Sequence, residues 1–154
     1  MNSTQITLSS NDGTLFTVNK TILQPSNTIK QMLEDIPESN ENIPLIDNSC
    51  TAIVVHKIIE YLQKHHDLGT DEEREEYNKK FIKMDDELLF NVILAANYLD
   101  IKDLLDLGCK TVAEYIKQCK STEEIRTRFN IENDFTPEEE QKIREENAWC
   151  DEIQ

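Results

Sequence analysis

The chain has 154 residues, 38% of them hydrophobic, and a formal net charge of −15. That length suggests one domain with room for an appendage, built on a core leaner than usual. So acidic a surface repels nucleic acid and anionic membranes, and no apolar run approaches the roughly 20 residues that span a bilayer. The first residues alternate: Ile6 and Leu8, then Asn11-Asp12-Gly13, then Phe16 and Val18. An Asp-Gly pair between alternating runs predicts a β-hairpin, because the tight turn needs a positive φ that Gly adopts cheaply. Pro25-Ser26 opens a short helix with Ser26 as cap and Ile29, Met32 and Leu33 on one face. Residues 34–42 are acidic and polar and read as a loop. Ile43-Pro44-Leu45-Ile46 reads as a short edge strand, since Pro cannot donate to a central ladder. Asn48 or Ser49 caps the next helix, which carries Ile53, Val54, Ile58, Ile59 and Leu62 at helical spacing.

The stretch 67–78, with its run Asp71-Glu72-Glu73-Arg74-Glu75-Glu76, is nearly devoid of apolar residues and is expected to be a mobile acidic loop. Asp85 or Asp86 starts a helix that is apolar nearly all round, from Leu88 to Ala96, and so belongs at the centre of the fold. Asp100 is the expected cap of a further helix bearing Ile101, Leu104, Leu105, Val112, Ala113 and Ile116. Gly108 inside it costs about 1 kcal/mol relative to Ala, and marks either close packing or nothing. The tail differs in character. Ser121-Thr122-Glu123-Glu124 and Thr136-Pro137-Glu138-Glu139 are capping boxes, the second with Pro at the favoured first position. They specify helices near 122–129 and 137–149.

Catalytic chemistry finds no footing. Cys50, Cys109, Cys119 and Cys150 match no common zinc spacing. With the polar opening Asn2-Ser3-Thr4 in place of a signal peptide, they point to reduced, intracellular thiols. The Asn-x-Ser/Thr matches at Asn2 and Asn19 are then fortuitous. Cys50 and His56 could form a nucleophile pair, but the plainer reading is a buried inert thiol and a surface imidazole. His65 and His66 read as solvated residues at a helix end. With only Gly13, Gly69 and Gly108 available, no Gly-rich phosphate cradle can be built. The acidic run lacks the ordered spacing of a calcium loop. No catalytic residue, metal site or cofactor is expected.

The positive signal concerns binding. Ile125, Phe129, Ile131, Phe135, Ile143 and Trp149 are large but too widely spaced to seal against one another. The larger ones would each gain roughly 1.5–3 kcal/mol on burial. Either they bury on a partner, which makes the tail a docking arm, or they fold back on the domain.

Three long segments carry a resemblance. One runs Ile93-Leu94-Ala95-Ala96-Asn97-Tyr98-Leu99-Asp100-Ile101, Leu104-Leu105-Asp106 and Cys109-Lys110-Thr111-Val112-Ala113. The second is the tail, with Glu123-Glu124-Ile125-Arg126, Phe129-Asn130-Ile131, Asn133-Asp134-Phe135-Thr136, Glu138-Glu139-Glu140 and Glu146-Asn147-Ala148-Trp149-Cys150. The third is amino-terminal: Ser10-Asn11-Asp12-Gly13 and Thr28-Ile29-Lys30-Gln31-Met32-Leu33-Glu34-Asp35. Together they resemble the S-phase kinase-associated protein 1 family over essentially the whole chain.

The resemblance implies an α+β domain of the BTB/POZ type over 1–117 and a two-helix F-box-binding extension over 118–154. It implies an adaptor, not an enzyme, that bridges F-box substrate receptors to a cullin scaffold in an SCF-type ubiquitin ligase, for protein degradation. A RING subunit would be reached indirectly through the cullin. The family's cullin contact maps onto Asn97 and Tyr98. Its F-box surface maps onto Ile125, Phe129, Ile131, Phe135, Ile143, Asn147 and Trp149. Pro137 stands where some relatives carry a modified proline. The expected location is cytoplasm and nucleus, and an exposed tail allows a homodimer when the chain is free. Three departures stand out. Tyr77-Asn78 replaces the Trp-Asp of the family's Trp-Asp-x-x-Phe pattern, Gly108 is not the usual residue, and the acidic stretch is shorter than in many members. The departure at 77–81 keeps open an alternative: a structural subunit of an F-box assembly outside ubiquitination, chromosomal or trafficking. An elongin-C-like adaptor would lack the tail over 121–150.

Overall fold

The computed structural model describes residues 4–36 and 42–153. The chain divides into two compact units, Met1–Ala113 and Glu114–Gln154. Among the described residues the first unit opens with β1 (Gln5–Ser9) and β2 (Leu15–Asn19), joined as the antiparallel hairpin expected from the alternation. Gly13 supplies the positive φ of the turn, at 84°. A 3-10 helix (Lys20–Leu23), α1 (Asn27–Asp35) and β3 (Asn42–Pro44) follow. β3 pairs in parallel with β1, giving the order β2-β1-β3 with Pro44 on an edge strand. The expected loop over 34–42 lies mostly outside the described residues, although Glu34 and Asp35 still belong to α1.

α2 (Ala52–Asp67), α3 (Asp71–Phe81), α4 (Asp86–Tyr98) and α5 (Lys102–Gln118) complete the helical layer. Ile6, Leu8 and Val18 of the hairpin are buried with Ile22, Leu23 and Ile29. Val54, Val55, Ile58 and Leu62 of α2 join them, as do Val92, Ala95 and Ala96 of α4 and Leu104 of α5. The unit is thus mixed α+β, with a small sheet and a mostly helical body.

The stretch 67–78 is a correction. Asp67 ends α2 and residues 71–78 lie in α3, so only 68–70 connect the two, because the ends of α3 are specified by charge and caps where apolar periodicity is silent. Thr70 Oγ1 accepts from Glu73 N–H at 3.2 Å and the Glu73 carboxylate accepts from Thr70 N–H at 3.2 Å, a full capping box. Asp71, Glu72 and Glu73 lie at the positive end of the helix and Lys79 and Lys80 at the negative end. Glu75–Lys79 and Glu76–Lys80 add pairs one turn apart, at 3.4 and 2.8 Å. The Arg74 guanidinium ties the helix to α2 through the His65 and Leu68 carbonyls, at 3.3 and 2.7 Å. Tyr77 and Phe81, four residues apart, stack on His65 and Tyr61 of α2.

Two caps also move. Thr51, not Asn48 or Ser49, precedes α2, and its side chain makes no capping bond. The donor at Ala52 N is satisfied instead by Asp12 Oδ2 of the hairpin turn, at 3.1 Å. Asp100 does not cap α5. It is a left-handed residue, φ 50°, that ends α4 in a Schellman motif: Asp100 N donates to Asn97 O at 3.2 Å and Ile101 N to Ala96 O at 3.0 Å.

In the second unit, α6 (Thr122–Phe129) and α7 (Pro137–Glu146) lie near the expected positions. α7 is shorter, giving way to a 3-10 helix over Ala148–Ile153. Thr136 and Glu139 form the expected capping box with Pro137 at the start of α7. At α6, Ser121 caps Glu124 N, but the Glu124 carboxylate reaches Lys120 N rather than closing the box on Ser121.

Candidate functional site

The first candidate surface lies at the end of α4. Asn97 is exposed and Tyr98 is half-buried against the core. Their backbone is fixed by an exchange between helix ends. The carbonyls of Tyr98 and Leu99 would be orphans at the C-terminus of α4. They are taken by the start of α1: Thr28 Oγ1–H donates to Tyr98 O at 2.8 Å, and Ser26 Oγ–H donates to Leu99 O at 2.6 Å. Ser26 Oγ also accepts from Ile29 N at 3.2 Å, so one hydroxyl caps α1 and closes α4. Asn27 N–H donates to Asp100 O at 3.3 Å, and Asn27 Nδ2–H to Asp100 Oδ2 at 2.9 Å. The positive start of α1 against the negative end of α4 is electrostatically favourable.

The helix carries one residue that patterning assigned to the interior. Leu94 is 58% exposed. It lies three residues before Asn97 and four before Tyr98, so all three share a face. The spacing carries that signal, but an all-round apolar helix hides it.

The second surface is the tail. None of the residues of α6 and α7 is buried. Ile131, Phe135, Ile143 and Trp149 are 41–61% exposed, while Ile125 and Phe129 are half-buried. Ile116, counted above only as an apolar position of a helix, is exposed as well. Polar groups hold α6 to α7. Arg144 bridges Glu123 of α6 and Glu140 of its own helix at 3.0 and 3.1 Å, and Arg126 lies 3.6 Å from Glu140. A bond to its own backbone N–H, then the charges of Arg144 and Arg126, hold the Glu123 carboxyl below its ordinary range. Asn130, left-handed at φ 51°, ends α6 and places Ile131, whose N–H donates to Arg126 O at 2.8 Å. Asn147 spends its side-chain amide on Ile143 O at 2.8 Å, closing α7. Pro137 is exposed.

Cys50 is fully buried, and burial foremost pushes its thiol up to about 11. That is the reverse of an activated nucleophile. His56 is exposed. His65 is not simply solvated: its ring stacks on Tyr61 at 4.0 Å and its Nε2 pairs with Asn78 Oδ1 at 2.7 Å. Tyr77 OH donates to Glu60 at 3.4 Å. Both residues of the unusual Tyr77-Asn78 pair are therefore absorbed in joining α3 to α2. No group of three or more His, Cys, Asp or Glu able to hold a metal occurs among the described residues.

A three-stranded sheet backed by helices, followed by a helical tail, is the architecture of a POZ-type α+β domain with an extension. The model described as "Skp1 family, tetramerisation domain" matches residues 4–67, and that described as "Skp1 family, dimerisation domain" matches residues 102–150. A relative named E3 ubiquitin ligase complex SCF subunit sconC, from Aspergillus clavatus, is 49% identical over 97% of this chain and 99% of its own. Relatives of the same name from Neosartorya fischeri and Talaromyces marneffei are 49% and 47% identical, again over 97% of this chain and over 99% and 98% of theirs. The chain belongs to the Skp1 family.

Proposed function

We propose that the chain is the adaptor subunit of an SCF-type E3 ubiquitin ligase, joining F-box substrate receptors to a cullin. The names of its relatives support the complex. The observation that carries the adaptor reading is the tail: its two helices bury none of their own residues, yet present large apolar side chains at fixed positions. Such a surface is completed by another protein. We assign Ile125, Phe129, Ile131, Phe135, Ile143, Asn147 and Trp149 to the F-box protein, and Asn97 and Tyr98, with Leu94 beside them, to the cullin. A RING subunit is then reached only through the cullin. The adaptor forms no bond itself. It contributes effective concentration, holding a receptor-bound substrate near the ubiquitin donor. The same apolar tail would pair with a second copy when no receptor is present, and the complex would work in cytoplasm and nucleus. Pro137, exposed at the first position of α7, is accessible to a modifying enzyme.

A native pull-down of the tagged chain from its own cells, read by mass spectrometry, tests the assignment. A cullin together with several F-box proteins is expected. F-box proteins without a cullin would transfer the assignment to a non-ligase assembly. The Tyr77-Asn78 departure gives that second reading no support, since both side chains are engaged internally.

A further inference from the structure

A half-open cavity of about 590 Å³ lies within the first unit, between the 3-10 helix, α2, α3 and the start of α5. That is the size of cavity that takes a ligand or a partner's side chains. Its floor includes Ile22, Leu62 and the Tyr61 ring, and its rim includes Asp71, Asp103 and Asp106. Arg74 Nη1 bonds Asp71 at 3.0 Å and its other nitrogens serve backbone carbonyls, so this pair is internally satisfied. Asp103 and Asp106 are different. They stand three residues apart on α5, and among the described residues neither makes an ion pair or side-chain hydrogen bond.

Tyr61 is the second, independent observation. It is 2% exposed, and its hydroxyl has no hydrogen-bond partner among the described residues. No fully sealed side-chain oxygen or nitrogen lacks a partner among those residues. The small accessible part of Tyr61 therefore includes its hydroxyl, which opens on the cavity it lines. Burial, and then the charge of Asp103, push its ionisation up, so the group remains a phenol.

We propose that this cavity is a second protein-docking site, distinct from the Asn97–Tyr98 face and the tail, and that it takes an arginine side chain of a partner. The aliphatic stem packs on Ile22 and Leu62. The guanidinium, with five donors in a planar fork, meets the two carboxylates and the phenol oxygen. A compact ammonium matches three separated acceptors less well.

The test is an amide-shift titration of the full-length chain with the blocked tripeptide acetyl-Gly-Arg-Gly-amide. Its citrulline counterpart serves as the neutral isostere. Saturable shifts confined to residues near 61–66 and 101–106 are expected with arginine, and none with citrulline. Asp103→Asn with Asp106→Asn should weaken binding at least tenfold. Glu132→Gln with Asp134→Asn, which removes the same charge from the loop after α6, should leave it unchanged. Tyr61→Phe should weaken binding severalfold while Tm stays the same or rises, because no internal hydrogen bond is lost. Shifts scattered over the acidic surface, equal binding of citrulline, or binding that survives D103N/D106N would overturn the proposal.

Discussion

A β-carbon on Gly108 would lie 2.4 Å from Ile93 Cγ1, so α5 approaches α4 more closely at this point than any side chain permits. Ile is stiff at χ1 and cannot swing that carbon aside freely. Gly108→Ala should therefore cost about 1 kcal/mol net: roughly 1–3 kcal/mol of overpacking, offset by about 1 kcal/mol of helix propensity. In the background Ile93→Ala the clash is gone and the same change should be neutral or stabilising. Urea denaturation of the four proteins of this cycle measures the coupling.

The α4 face gives a prediction that separates binding from folding. Asn97→Lys with Tyr98→Lys should abolish cullin capture while F-box capture survives. Leu94→Ala should weaken cullin binding by about 10- to 100-fold, the equivalent of burying one leucine at roughly 1.5–3 kcal/mol. Because Leu94 is 58% exposed in the free chain, its stability should change by no more than about 0.5 kcal/mol. Calorimetry for binding and thermal melting for stability read the two effects. Retained cullin binding in a folded N97K/Y98K protein would remove the assignment.

For the tail, Phe135→Ala and Trp149→Ala should each weaken F-box binding by about 10- to 100-fold. Neither side chain is buried in the free chain, so thermal stability should hardly move. A loss of stability comparable to the loss of affinity would instead make these residues part of an internal core.

Asp12 predicts a pH dependence. The Ser10 hydroxyl first, and the Ala52 N–H next, hold its carboxyl below the ordinary value of 3.8. A depressed pKa contributes stability that is complete above 3.8 and lost as pH falls through the lower folded value. Asp12→Ala should therefore lower Tm at pH 7, and the difference from the parent should shrink as pH falls below 3.8. A difference independent of pH would show that the carboxylate charge is not what joins the hairpin turn to α2.

Much of this architecture is written locally. Alternation and Asp12-Gly13 specify the hairpin, Ser26 starts α1, and Thr136-Pro137 with Glu139 starts α7, because each depends on residues within a few positions of one another. The same local logic holds at Thr70-Asp71-Glu72-Glu73, where the capping box starts a helix in spite of the lack of apolar residues. Composition there describes the solvated face of a helix as readily as a loop, and only Tyr77 and Phe81 reveal the buried side. In the tail, Ile125, Phe129, Ile131, Phe135, Ile143 and Trp149 were legible as apolar side chains too sparse to seal one another, whereas Asn97, Tyr98 and Asn147 became candidates only through the resemblance. What folding alone decides are relationships between distant segments. Asp12 meets Ala52 across 40 residues and Ser26 meets Leu99 across 73. Leu94 is outside while Leu89 is inside, and Tyr61 of α2 comes to line one cavity with Asp103 and Asp106 of α5. Periodicity fixes which residues share a helix face, but which face is covered depends on where the other helices come to rest.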